Sequence, residues 1–130
     1  MRLLLVCVGG ALGSGFRYAI SGVIAHWLGP GFPYGTLAVN LLGSFLIGLI
    51  HEVGTTSLLI PDATRLFLTV GVMGGLTTYS TFSYEAVRLM EEGAWPQAWL
   101  NVVVTPATCL TACVLGIALG RTLVGLKGGL

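Results

Sequence analysis

A chain of 130 residues, 55% hydrophobic and 8% charged, with a mean hydropathy of +0.91, is not a water-soluble domain, in which roughly a quarter of residues carry charge. Bilayer lipid must cover the apolar excess. A net charge of +1 leaves no basic face for nucleic acid, which is excluded as a partner.

Met1 and Arg2 followed by Leu3 to Val8 imitate the basic and apolar regions of a signal peptide. The apolar run continues past Gly15 to Trp27, however, and three more long apolar segments follow, so it reads as a membrane span. The four predicted spans are Leu3 to Trp27, Tyr34 to Val53, Arg65 to Met90 and Trp95 to Leu119, each long enough for the roughly 20 residues a crossing helix needs. Gly29, Pro30, Gly31 and Pro33 punctuate the first connection, Pro61 and Asp62 the second, Gly93 and Pro96 the third. Short connections make neighbouring helices antiparallel, within a single four-helix transmembrane domain over residues 1–130. Trp27, Tyr34, Trp95 and Trp99 fall near span ends, where aromatic rings sit among headgroups.

Arg2, Arg65, Arg121 and Lys127 share the side of both termini and Arg88 lies on the other, a faint bias that permits either insertion direction. Small residues recur at four-residue spacing: Gly9 with Gly13, Ser44 with Gly48, Gly71 with Gly75, and Ala112, Gly116 with Gly120. Such ridges let helix backbones approach closely in lipid.

Arg17 in the first span must snorkel to the surface or find acceptors in the bundle; a charge drawing anions and simple anchoring both fit. Asn40 lies among apolar residues in the second span, where its amide either donates to an anion or cross-links two helices. The third span carries GVMGGLTTYSTFSYE, with Thr77, Thr78, Ser80, Thr81 and Ser83 crowded behind Gly74 and Gly75. Adjacent glycines and threonines are weak helix formers, so a break is expected at Gly74 to Thr78, with freed carbonyls able to face a cation. Tyr79 and Phe82 share a helix face, which is ordinary core packing or a positive ring edge offered to an anion. Glu85 closes this stretch, beside hydroxyls or a watery mouth. In the fourth span Cys109 and Cys113 share a face without a His or acid to complete a metal site, and read as packing. His26 and His51 sit at span ends. No nucleophile with base and orienter can be assembled, which excludes an enzyme.

The stretches GGALGSGFRY, GTLAVNLLGSFLIG and GGLTTYSTFSYE together resemble the Fluc or CrcB family of bacterial fluoride channels. The resemblance implies an all-α membrane protein of the cell inner membrane with a broken third helix. It implies passive export of fluoride by a dual-topology dimer of antiparallel copies, with two narrow paths along their interface. It also implies a central structural sodium ion held by backbone carbonyls, which by position belong to Gly74 and Thr77. The pore asparagine corresponds to Asn40, the polar track to Ser80 and Thr81, the first-helix arginine to Arg17, and two pore phenylalanines to Tyr79 and Phe82. Tyr79 is a departure. The fourth helix is another: Asn101 and Thr105 stand where a tyrosine and serines are usual. Both departures leave room for a paralogous subunit to complete the dimer. Two other classes compete. A small proton-coupled drug exporter with dual topology needs a carboxylate in its binding chamber, which the first span lacks; a non-transporting assembly subunit leaves the hydroxyl cluster unexplained.

Overall fold

The computed structural model describes residues 1–57 and 59–128. Among them the regular structure is entirely helical. Helix α1 spans Arg2–Leu28, α2 Tyr34–Ser57, α3 Asp62–Leu66, α4 Gly74–Leu76, α5 Tyr79–Glu91 and α6 Trp95–Gly128, with a π-helical segment, Phe67–Met73, joining α3 to α4. Punctuation acts where the residues place it. Gly29 and Gly93 end α1 and α5 with φ of 83° and 79°, a left-handed backbone that glycine adopts without Cβ strain. Pro61 precedes α3, where Asp62 bonds Arg65 at 3.1 Å.

Among the described residues, three helices are long and apolar enough to cross a membrane: α1, α2 and α6. The third predicted span, Arg65 to Met90, is not one continuous helix. Its chain is π-helical before Gly74 and extended at Thr77 (φ −85°, ψ 154°) and Thr78 (φ −150°, ψ 118°). Gly74 and Gly75 remain helical, so the break is confined to the two threonines, narrower than the expected Gly74 to Thr78. The reason lies across the interface. A Cβ on Gly75 would stand 2.5 Å from Gly10 O and 2.9 Å from Ser14 N, so this glycine serves close packing on α1 and not unwinding.

The other small residues work in the same way. Gly9 and Gly71 face each other, a Cβ on Gly9 falling 2.9 Å from Gly71 Cα, and the buried residues of α1 are just Gly9 and Gly13. The rest of α1 offers Leu3, Leu4, Leu12 and Phe16 to the surroundings. On the opposite side α2 and α6 run parallel in close contact. Gly48 lies against Cys113 O, and Arg121 Nε meets Glu52 Oε1 at 3.1 Å near the end of that seam. A small buried core of Val39, Val72, Met73 and Leu76 joins α2 to the broken segment. Large apolar side chains elsewhere are exposed along whole helices, the surface of a chain dissolved in lipid or covered by another copy.

Candidate functional site

The break is closed by Asn40. Its Oδ1 accepts from Thr78 N at 2.8 Å and its Nδ2 donates to Thr78 O at 3.1 Å, so one amide satisfies both polar groups of a residue that the helix has abandoned. The bonding partners fix which amide atom is oxygen. Of the two roles open to Asn40, the helix cross-link is present; one Nδ2 hydrogen remains for another acceptor.

Thr78 then starts the next helix. Its Oγ1 accepts from Thr81 N at 3.1 Å, an N-terminal cap, and donates to Thr81 Oγ1 at 3.0 Å. Ser80 Oγ lies 3.3 Å from the same hydroxyl. Thr77 Oγ1 and Thr77 N both bond Met73 O at 3.0 Å, finishing α4. A continuous helix would aim Thr78 N at Gly74 O and Thr81 N at Thr77 O. Both donors are engaged elsewhere, which releases those carbonyls. Gly43 leaves space for the Thr77 methyl, so the break docks directly on α2.

Cavities with hydroxyl and amide groups on their walls adjoin this structure. A cavity of about 280 Å³ beside the break is lined by Asn40, Thr77, Thr78, Tyr79, Phe82 and Thr105 among others, and reaches Ser44 and Cys109. A second, of about 300 Å³, holds Arg17, Ser14, Ser21, Thr36, Thr78 and Thr81. Thr78 borders both. Thr36 and Thr81 also border a wide cavity of about 910 Å³, with Glu85, Arg88, His26 and Tyr84 on its wall. Tyr79 and Phe82 pack with ring centroids 5.6 Å apart, Phe82 buried and Tyr79 80% exposed.

The structure thus brings together Asn40, Tyr79, Phe82 and Thr105 around one cavity, and Arg17 and Thr81 around its neighbour. Ser80 is exposed and lines none of these cavities. Asn101 lies behind the wall at 1% exposure, its Oδ1 accepting from Thr105 Oγ1 at 2.7 Å. Sequence reasoning passed over Thr36, Ser21, Ser44 and Cys109 as wall residues. Cys109 stands one turn beyond Thr105 on α6, a spacing that was readable, whereas Thr36 and Ser21 are joined through the close approach of Gly35 to Ser21, which only the packing reveals. Among the described residues no cluster of three His, Cys, Asp or Glu side chains is placed to hold a metal.

Fold and site together define a multi-pass helical membrane protein built around a capped break with neighbouring cavities that share wall residues. A family model described as CrcB-like protein, Camphor Resistance (CrcB), matches residues 4–117. The chain belongs to this family and is a multi-pass protein of the inner membrane. Among similar proteins, a Fluoride-specific ion channel FluC from Geobacter sp. is 48% identical over 122 residues, covering 94% of this chain and 98% of that one. The protein of the same description from Trichlorobacter lovleyi is 50% identical over 121 residues, covering 93% of this chain and 94% of its own. One from Magnetococcus marinus is 44% identical over 121 residues, covering 93% and 98%. The function these relatives are named for is ion conduction, not catalysis.

Proposed function

We propose that the chain is a passive fluoride channel, working as an antiparallel dimer of four-span subunits. The observation that carries this reading is a succession of cavities with shared walls: Thr36 and Thr81 line both the wide mouth and the cavity at Arg17, and Thr78 lines both that cavity and the one at Asn40 and Phe82. The fluoride identity comes from relatives named Fluoride-specific ion channel FluC that align over nearly the whole chain. The broken segment from Asp62 to Glu91 makes the fourth crossing, its freed backbone groups satisfied by Asn40 and Thr78 where lipid offers nothing.

In this reading Arg17 draws anions into the second cavity. It forms no ion pair among the described residues and faces hydroxyls there. The free N–H of Asn40, the Thr81 hydroxyl, the Phe82 ring edge and Thr105 replace part of the ion's hydration, with Asn101 supporting Thr105 from behind. Tyr79 adds a hydroxyl at the exposed rim, where a second copy would cover it. The released carbonyls of Gly74 and Thr77 suit a small hard cation, sodium, which would supply charge at a position that two antiparallel copies share.

Carboxylates on the mouth, Glu85 and Glu92, are a feature a proton-coupled exporter would share. The two readings separate in proteoliposomes. Fluoride leaves down its own gradient with equal pH on both sides if the chain is a channel. Uphill movement of fluoride or of an organic cation driven by a pH difference would overturn the channel, and absence of any flux would return the chain to an assembly role.

A further inference from the structure

Helix α1 is about 40 Å long at 1.5 Å per residue, and Arg17 stands roughly 16 Å along its axis from Leu28. Centred on a hydrocarbon core of about 30 Å, the helix holds Arg17 roughly 11 Å inside the nearer boundary. A guanidinium at that depth needs acceptors. Among the described residues it makes no ion pair and no side-chain hydrogen bond, and no carboxylate lines its cavity of about 300 Å³. The walls offer further donors instead. Ser14 and Ser21 lie three and four residues from Arg17, on one face of α1, with Thr78 and Thr81 opposite. Ser21 and Thr78 have spent their hydroxyl hydrogens, on Arg17 O at 2.6 Å and on Thr81 Oγ1 at 3.0 Å. Thr81 accepts in that bond, so its own hydrogen is uncommitted, and the Ser14 hydroxyl has no partner among the described residues. Thr36 and Thr81 also line the mouth, which gives the cavity its approach from water.

We propose that the cavity at Arg17 binds a small planar oxyanion with an O–C–O edge, a carboxylate or bicarbonate, which competes there with fluoride for entry. The proposal rests on the fluoride reading above and adds a class of inhibitor to it. A guanidinium presents two parallel N–H groups that match the two oxygens of such an edge, whereas a monatomic ion meets the same fork only as a point charge. Each oxygen keeps a further lone pair, and the uncommitted hydroxyls of Ser14 and Thr81 are donors without a competing acceptor. The cavity is also far larger than a monatomic ion. A lipid phosphate carries oxygens that suit the fork equally well, but it stays at headgroup level and the depth of Arg17 keeps it out. The occupant is therefore a free anion arriving through the mouth.

The test is inhibition by formate of fluoride flux through full-length protein in liposomes, with formate and pH equal on both sides and chloride at the same ionic strength as the control. Formate slows wild-type flux along a saturating curve, and raising fluoride moves the half-inhibiting concentration upward; chloride has no such effect. Arg17→Lys keeps the charge and loses the fork, so whatever its own flux, half-inhibition moves up about tenfold, the loss of one charge-assisted hydrogen bond. Ser14→Ala moves it up by less. In the infrared, the carboxylate bands of isotope-labelled formate shift on binding to detergent-solubilised wild type, fluoride reverses the shift, and Arg17→Lys lacks it. Inhibition that never saturates, that chloride reproduces, or that Arg17→Lys leaves unchanged would overturn the proposal while leaving the channel intact. No flux under any condition would sink the channel reading, and the band shift, by its presence or absence, then upholds or overturns the oxyanion site on its own. The same wild-type bands, with and without fluoride, decide the matter if the variants fail to fold.

Discussion

Asn40 bonds both polar groups of Thr78, so its substitution acts on the backbone before it acts on an ion. Asn40→Leu leaves the N–H of Thr78 without its partner, at about 1–3 kcal/mol for a buried group, and takes one donor from its C=O, which as the N-cap of α5 still accepts the first bond of that helix. Thermal unfolding in detergent should therefore show a lowered midpoint together with reduced flux. A variant of undiminished stability and flux would mean that the amide does neither job. Phe82 permits a cleaner separation of packing from ring chemistry. It is 8% exposed beside the cavity, and Phe82→Leu nearly conserves apolar volume, so folding should survive at a cost below about 1.5 kcal/mol while flux drops because the ring edge is gone. Equal fluoride flux in Phe82→Leu and wild type would assign the ring to packing alone.

At the level of helices, the break between α4 and α5 depends on what it touches. Thr77→Ser keeps the hydroxyl that bonds Met73 O and removes a methyl facing Gly43, so stability and flux should change little. Gly75→Val meets Gly10 O and Ser14 N, backbone atoms that cannot swing aside, and should prevent assembly of α1 on the broken segment. Recovery of well-folded Gly75→Val by size-exclusion chromatography would refute that packing. These contacts also explain what was readable beforehand. Proline and glycine between apolar runs located the connections, and the hydroxyl cluster located the break, because both are local properties of the chain. The π-helical turns and the helical state of Gly74 and Gly75 were not readable. Each arises from an opposing helix whose register no local pattern encodes. Asn40 stood between two roles for the same reason: its partner lies 38 residues away.

For the whole molecule, an exposed Gly74, an 80%-exposed Tyr79 and cavities open on the subunit surface all fit a site completed by a second copy. If released carbonyls from antiparallel copies share sodium, dimer stability should rise with sodium and not with a bulky organic cation, read as the dissociation midpoint in detergent. Equal stability in both salts would remove the ion from the account. Tags on either terminus should be found on both faces of the membrane; a single orientation in every molecule would replace the homodimer with a mixed pair. The claim of passive fluoride conduction is tested most directly by reversal potential in a planar bilayer, with fluoride at unequal concentrations and chloride present. Current should reverse at the fluoride equilibrium potential. Reversal at the chloride potential, or no current from folded dimer, would contradict it.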